Sequence, residues 1–526
     1  MKKFINKYIL VLCIFFMTIC FIGCHGQTKN ALLPIPDEFD TTRNYEISFW
    51  AKNDDNLVQQ QIYDETIKRF QEYYPNIKVN IVQYSKYPDI YNDVIKNIST
   101  KTTPNVCITY PDYVATYIQG NNVVVPLDNF IDNKKYGLGG SEIKYDTISE
   151  DEIYEKFLNE GIVDGKQYVI PFMRSSEATY VNKDYVERLG YTLPEVLTWD
   201  FIWEVSKKAK EERQNEKKFN PFIYKSTDNM MIQMTKQLGY GFTTDDGGIE
   251  LFNDDVANLL MEISEYASID CFETFARVSY PGNFFNRGNC VFAIDSTAGA
   301  TWMGSNAPLM DIPEEEIENF ETVVLPVPQY DVNNPQMISQ GPSVCIFNKD
   351  DNQEVLASWL FVQFLLNDQT QIDYAKTEGY IPVTKTAVNS SEYQYYLNNP
   401  SNESVEFYKT KIDASKVVIN NVENTFITPV FYGSSLVRQA GGNLIELAAK
   451  CKTKATREEV DEMYKKTQEK YSFLTQTDDL GPYPTTAKVL IISLIVVWIG
   501  IGGTYLYIYL KNKKVRNNNV EKSNKI

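Results

Sequence analysis

The stretch Tyr45-Glu46-Ile47-Ser48-Phe49-Trp50 alternates polar and apolar residues, the pattern of a β-strand with one buried face. Two further strand patterns follow, at Ile77–Val82 and Asn105–Thr109, and helical patterns separate the three. Strands that alternate with helices predict an α/β domain with a largely parallel sheet. Ligands of open sheets bind beyond the carboxyl ends of the strands. We therefore expect a binding site in the loops that begin at Trp50, Tyr84 and Pro111.

The same alternation of strands and helices resumes further along the chain. Strand patterns occur at Gln167–Pro171 and Thr179–Val181. Helices are predicted at Lys183–Leu189, Trp199–Glu211, Leu356–Leu366 (strongly amphipathic) and Glu458–Tyr471. A chain of 526 residues is long enough for two domains or two lobes.

The N-terminus has the features of a targeting segment. Lys2, Lys3 and Lys7 precede an apolar stretch, Tyr8–Ile22. This stretch is shorter than the length that a membrane-spanning helix usually needs. The stretch ends in Phe21-Ile22-Gly23-Cys24, which resembles a bacterial lipoprotein cleavage box. Residues 1–23 are therefore predicted to be a lipoprotein signal peptide, Cys24 the lipidated residue and 24–44 a linker. An uncleaved signal anchor is the alternative.

The C-terminus carries a second apolar stretch, Val489–Leu510, without charged residues. As a helix its 22 residues would extend about 33 Å, enough to cross a hydrocarbon core of about 30 Å. Lysines and an arginine follow in residues 511–526, and the positive-inside rule assigns this tail to the cytoplasm. Residues 489–510 are thus predicted to be a transmembrane helix. Both ends of the chain predict an extracytoplasmic body.

The composition excludes several classes of function. The formal net charge of −18 disfavours nucleic acid as a partner. The single histidine, His25, excludes a Ser-His-Asp triad, a Cys-His dyad or an HExxH zinc site in the body. No phosphate-binding loop or dinucleotide fingerprint occurs. We expect no catalytic residue, no metal and no cofactor. Five cysteines of the body have no CxxC spacing, and a Cys271–Cys290 disulfide stays open.

Three segments, taken in order, carry a resemblance to a known family. The first runs from Tyr168 to Asp184 and ends in Asn182-Lys183-Asp184, the second is Phe285–Ile294, and the third is Gly341–Phe347 followed by Thr377–Val383. Together they resemble the family 1 extracellular solute-binding proteins, which include maltose-binding and glycerol-phosphate-binding proteins. The resemblance covers about residues 45–475.

The resemblance implies a two-lobed periplasmic-binding-protein-like fold of type II. Each lobe would be a mixed, mostly parallel sheet flanked by helices, with ligand held between the lobes. Lobe 1 would comprise residues 45–155 plus 338–370, and lobe 2 residues 156–337 plus 371–475.

Nine residues are predicted to contact the ligand. Trp50, Tyr84, Asp112 and Tyr113 follow or end predicted strands, although Asp112 could instead cap a helix. Gly341 would let the backbone approach the ligand closely. The resemblance adds Glu177 as a sugar-binding carboxylate, Trp302 as a stacking ring, Tyr380 of the Gly-Tyr-x-Pro motif and Arg438 as a phosphate ligand. For each of the nine, a structural role is the alternative.

The predicted function is capture of a carbohydrate or related polyol and its delivery to the permease subunits of an ABC importer, at the cell membrane. A membrane-anchored co-receptor that signals through a membrane partner is the alternative, suggested by the C-terminal apolar stretch. A carbohydrate-cleaving enzyme is a third hypothesis, since paired carboxylates suffice for glycoside hydrolysis, but no pair is singled out.

Overall fold

The computed structural model describes residues 32–472, except 54–55, 121, 245–246, 276–280, 309 and 401–408, and also residues 498–514. The chain forms two compact units, Met1–Tyr471 and Ser472–Ile526. The predicted signal peptide, residues 1–23, and the predicted lipid acceptor Cys24 lie outside the described residues.

The first sheet has five strands, and its three leading strands are those predicted from the alternating sequence. The strand order is Ile77–Tyr84, Tyr45–Lys52, Val106–Thr109, Ser343–Ile346, Ile170–Pro171. The first three are parallel, and Ser343–Ile346 runs antiparallel to both of its neighbours. Ile47 and Phe49 are fully buried, as the alternation requires for the side chains on one face.

The second sheet also has five strands. Their order is Phe272–Thr274, Phe222–Tyr224, Phe292–Ser296, Glu177–Asn182, Thr322–Pro326. Only Glu177–Asn182 runs against the others in this sheet. Two mixed, mostly parallel sheets flanked by helices confirm the predicted two-lobed α/β fold. The remaining short strands pair as Ile162–Val163 with Lys166–Gln167, Met173–Arg174 with Ile381–Pro382, and Met337–Ile338 with Thr425–Phe426.

The helices follow the predicted positions closely. The first, Leu57–Tyr73, begins after Asn56, whose side chain accepts from two backbone amides, and ends just before Pro75. The others are Tyr87–Thr100, Pro111–Tyr117, Asp128–Ile131, Glu155–Asn159, Lys183–Arg188, Trp199–Glu212, Thr227–Leu238, Asp254–Ser268, Pro281–Phe285, Asn352–Phe364, Asp368–Ala375, Lys385–Asn389, Ser391–Asn398, Lys409–Asn420, Ser434–Ala448 and Arg457–Lys470.

One helix was predicted with the wrong character. Asn352–Phe364 is buried on every side from Val355 onwards, so the amphipathic pattern expected at Leu356–Leu366 is wrong. The helix lies inside the core of the first lobe, where backbone carbonyl groups accept hydrogen bonds from several of its side chains. Trp359, for example, donates its indole N–H to the carbonyl of Tyr136 at 2.7 Å.

The chain crosses between the lobes at different places from those expected at 155/156 and 370/371. Ile170–Pro171 belongs to the first sheet, and the core of the first lobe continues through Met173 and again through residues 372–422. The crossings therefore lie near residues 174–177, 338–343 and 422–425. These segments pair with one another, because Ser175 bridges Gln340 and Met337–Ile338 pairs with Thr425–Phe426.

The predicted transmembrane helix at Val489–Leu510 is not supported in the part that the structure describes. Residues 498–514 are helical, whereas residues 489–497 lie outside the described residues. Within the described ranges, no helix has both the length and the apolar character needed to cross a bilayer.

The Cys271–Cys290 disulfide left open by the sequence is not formed. Both thiols are free and buried. The strands that follow them, Phe272–Thr274 and Phe292–Ser296, lie on either side of Phe222–Tyr224. These two strands are therefore two strand spacings apart, or about 9.5 Å. This distance is too long for a disulfide between the cysteines that precede them.

Candidate ligand-binding site

Two adjoining cavities lie between the lobes, where the carboxyl ends of the parallel strands of both sheets face each other. The larger has a volume of about 700 Å³ and the smaller about 270 Å³. Four residues line both: Tyr110, Ser226, Gln340 and Gly341. This is where the sequence placed the site, beyond the ends of the strands.

Seven of the nine predicted residues line these cavities. Glu177, Trp302 and Tyr380 line the larger, Asp112, Tyr113 and Arg438 line the smaller, and Gly341 lines both.

Trp50 and Tyr84 do not line either cavity. Their rings pack against each other, with centroids 5.5 Å apart, at the surface of the first core. The hydroxyl of Tyr84 donates to Asp93 at 3.4 Å. The first strand continues two residues beyond the predicted end, so that Lys52 rather than Trp50 stands at its carboxyl end and lines the larger cavity.

Glu177 begins the antiparallel strand of the second sheet and is only 1% exposed. Its Oε1 accepts a hydrogen bond of 2.6 Å from Nδ2 of Asn229, while its Oε2 has no hydrogen-bond partner among the described residues. Burial raises the pKa of Glu177 to about 8. At neutral pH the side chain is therefore mostly an uncharged acid, able both to donate to and to accept from a hydroxyl group.

The other charged residues of the larger cavity balance one another. Lys225 pairs with both carboxylate oxygens of Asp295, at 2.9 and 3.0 Å. Glu378 accepts from Thr301 at 2.6 Å and from Asn56 at 3.3 Å. The ammonium group of Lys52 lies 5.0 Å from the ring centroid of Tyr87. Two lysines thus face two carboxylates, and with Glu177 protonated the lining of the larger cavity carries no net charge.

Aromatic rings form part of the wall of the larger cavity. Trp302 is half-buried on the segment after Phe292–Ser296, and its backbone is held because Asn286 donates to its carbonyl at 2.9 Å. Tyr110 and Tyr380 come from the first lobe. Such rings can cover the apolar C–H face of a sugar, while the polar groups between them bind its hydroxyls.

Arg438 is the charged centre of the smaller cavity, but its guanidinium group is already occupied. It pairs with Asp228 at 3.3 Å and Asp112 at 3.7 Å, and it donates to Asn229 at 2.6 Å and Thr428 at 3.1 Å. The predicted phosphate-binding role of Arg438 does not fit this arrangement, since a phosphate would have to displace carboxylates.

Asp112 does not cap a helix. The cap of Pro111–Tyr117 is Tyr110, and Asp112 lies in the first turn. Its carboxylate instead accepts from the hydroxyl of Ser434 and pairs with Arg438. Because the helix Ser434–Ala448 packs on Thr227–Leu238 of the second lobe, these contacts connect the two lobes across the smaller cavity.

Gly341 has a structural role in addition to its place in the lining of both cavities. Its φ of +142° lies in the region that favours glycine. An added Cβ would lie 2.3 Å from the carbonyl oxygen of Met173 and 2.9 Å from Cα of Arg174. The missing side chain therefore lets two crossing segments approach each other.

Several lining residues were not found from the sequence. Lys225 directly follows the strand Phe222–Tyr224, and recognition of that short strand would have indicated it. Asn229, Gln340, Asp295 and Glu378 come together only through the packing of the lobes. No local pattern marks these four residues.

A sequence profile of the bacterial extracellular solute-binding proteins matches residues 65–401. The chain belongs to this family. This confirms the predicted family and its main function, solute binding for an ABC transporter, and an extracytoplasmic body accords with it. The relatives that follow are themselves binding proteins.

Among curated relatives, the sn-glycerol-3-phosphate-binding periplasmic protein UgpB of Rhizobium meliloti (strain 1021) is 24% identical over 357 residues, covering 65% of this chain and 77% of that protein. UgpB of Brucella melitensis biotype 1 is 23% identical, covering 65% of this chain and 76% of that protein.

Solved structures share the fold. UgpB from Mycobacterium tuberculosis in complex with glycerophosphocholine has a TM-score of 0.62 at 16% identity, covering 82% of this chain and 98% of that one. Maltose-bound MalE3 of T. maritima has a TM-score of 0.60 at 13% identity, covering 81% of this chain and 99% of that one.

Proposed function

We propose that the chain binds a carbohydrate without anionic groups in the larger cavity and delivers it to the permease subunits of an ABC importer. The observation that supports this most is the charge balance of the cavity, in which Lys225 is held by Asp295 and Glu177 is mostly protonated at neutral pH. Buried hydrogen-bonding groups between aromatic walls suit a polyhydroxylated solute. The maltose-bound relative of the same fold is consistent with this ligand class.

A phosphorylated polyol is the second candidate. Curated relatives are named for sn-glycerol 3-phosphate, and two lysines, Lys52 and Lys225, line the larger cavity. Phosphate binding needs cations that are not already neutralised. Since Lys225 and Arg438 are each paired with carboxylates, a carbohydrate without anionic groups is favoured.

A thermal-shift screen of the purified protein against mono- and oligosaccharides, polyols and their phosphate esters tests the proposal. A ligand at 100 times its dissociation constant stabilises the folded state by about 2.7 kcal/mol, which raises the melting temperature by several degrees. We expect the shift with saccharides that carry no phosphate. A shift confined to phosphate esters would support the second candidate instead.

Membrane attachment through Cys24 is part of the proposal, because it would keep the binding protein near its permease and raise its effective concentration there. The apolar stretch 489–510 remains a sequence-based prediction. Partition of wild-type and Cys24→Ala protein between detergent and aqueous phases tests the lipid anchor. Co-purification with permease subunits supports delivery, whereas co-purification with a membrane kinase would favour the co-receptor alternative.

A further inference from the structure

The smaller cavity differs from the larger one in its charge. Its charged lining residues in the described part of the chain are Asp112, Glu160, Asp228 and Arg438. Glu160 pairs with the buried Arg174 at 2.9 Å, and Arg438 is shared between Asp112 and Asp228. Three carboxyl groups thus face two guanidinium groups, so the acidic groups outnumber the basic groups by one.

The smaller cavity also contains a polar atom without a partner. Ser339 lines it on the crossing segment and is 3% exposed, yet its hydroxyl has no hydrogen-bond partner within the described residues. Burial of a hydroxyl without a hydrogen-bond partner costs free energy. This cost is recovered if a bound solute supplies the missing hydrogen bond.

Two tyrosine rings complete the wall. Tyr110 and Tyr113 both line the smaller cavity, with ring centroids 5.8 Å apart in an edge-to-face arrangement. Faces of tyrosine rings attract cations, and the attraction is greater where water is excluded.

From this charge, this hydroxyl and these rings, we propose that the smaller cavity is a subsite for a protonated amine carried by the solute, as in an amino sugar. The inference rests on the proposed function, since the sugar skeleton would occupy the adjoining larger cavity. Tyr110, Ser226, Gln340 and Gly341 line both cavities, so one solute can extend from one to the other. The ammonium group would supply the missing positive charge and an N–H for Ser339.

Calorimetric titration of the full-length protein with three disaccharides of the same linkage tests this subsite. They are cellobiose, chitobiose and N,N′-diacetylchitobiose. In chitobiose amines replace hydroxyls of cellobiose, and in N,N′-diacetylchitobiose these amines are acetylated and therefore uncharged. At about pH 6.5 we expect chitobiose to bind at least 10-fold more tightly than either of the others. In Asp228→Asn and Ser339→Ala the ratio of the chitobiose and cellobiose dissociation constants should move towards one.

Asp254→Asn is the matched control, because Asp254 has an 87% exposed side chain on the helix Asp254–Ser268 and lines neither cavity. The Asp254→Asn variant should show the same ratio of chitobiose and cellobiose dissociation constants as wild type. Equal binding of all three disaccharides would overturn the amine subsite while leaving the proposed function intact. A wild-type preference for chitobiose that Asp228→Asn and Ser339→Ala leave unchanged would also overturn it, and so would a failure of all three to bind.

Discussion

Asn229 donates a hydrogen bond of 2.6 Å to the carboxyl group of Glu177. The same side chain donates to Gln340 at 2.8 Å and accepts from Arg438 at 2.6 Å. One amide therefore connects a polar group of the larger cavity, a segment that crosses between the lobes and the charged centre of the smaller cavity. Asn229 is 3% exposed, so these bonds have little competition from water.

Substitution of Asn229 by alanine should weaken solute binding at least 10-fold and destabilise the fold by about 1–3 kcal/mol, because buried Glu177 and half-buried Gln340 and Arg438 lose a partner. Calorimetry and thermal unfolding measure the two effects. Asn443→Ala is the control, since Asn443 also bonds to two side chains, Thr467 and Lys470, but lies away from both cavities. Unchanged affinity in the Asn229 variant would contradict the connecting role.

Glu177→Gln should change the pH dependence of stability. Burial raises the pKa of Glu177 to about 8 from 4.5, so the folded state holds one proton more than the unfolded state between these values. The stabilisation by this group is complete below pH 4.5 and is lost as the pH rises towards about 8. We expect the variant to be more stable than wild type at pH 8, by about 2–4 kcal/mol, and similar to it near pH 4.5.

Unfolding curves in denaturant across this pH range measure the difference between Glu177→Gln and wild type. Other carboxyl groups with raised pKa values, such as Asp112 and Glu160, are common to both proteins and do not enter the difference. Two parallel stability curves would show that Glu177 does not titrate in this range.

Gly341→Ala should destabilise the fold by about 3 kcal/mol or more, because the new Cβ meets the backbone of Met173 at a φ that side chains avoid. Gly165→Ala is a matched control. Gly165 has a φ of +73° but nothing within 4 Å of an added Cβ, so strain alone should cost about 1 kcal/mol. Equal losses in the two variants would mean that the close approach of the crossing segments is unimportant.

Trp302→Ala should lower the affinity for a neutral saccharide by about 10-fold or more, since a flat apolar surface is lost from the cavity wall. Trp50→Phe is the control, because Trp50 packs on Tyr84 and lines neither cavity. It should affect stability but not affinity. The same loss of affinity in both variants would place the effect in folding rather than in stacking.

The sequence predicted the fold well where local pattern and burial agree. The alternation at Tyr45–Trp50 and the helical patterns between the first three strands predicted the start of the first lobe, because each depends on neighbouring residues only. Candidate site residues could be named only where they follow a predicted strand or belong to a family motif, as Glu177 and Trp302 do. Asn229 could not be predicted, because its partners Glu177, Gln340 and Arg438 lie 52 or more residues away along the chain.

The charge environment of Arg438 could not be predicted for a related reason. An arginine in a family position suggests a phosphate ligand, but whether its charge is available depends on Asp112 and Asp228, which reach it only in the folded chain. The exact end of the first strand, Tyr45–Lys52, likewise decides which residue lines the cavity. Two additional residues place Lys52 at the cavity and leave Trp50 in the wall of the core.

The most direct test of the central claim is a calorimetric comparison of one neutral saccharide, the best from the thermal-shift screen, with its own phosphate monoester. We expect the neutral compound to bind at least 10-fold more tightly, because Lys225 and Arg438 are already paired with carboxylates. Tighter binding of the phosphate ester would contradict the claim and show that these ion pairs open to receive an anion.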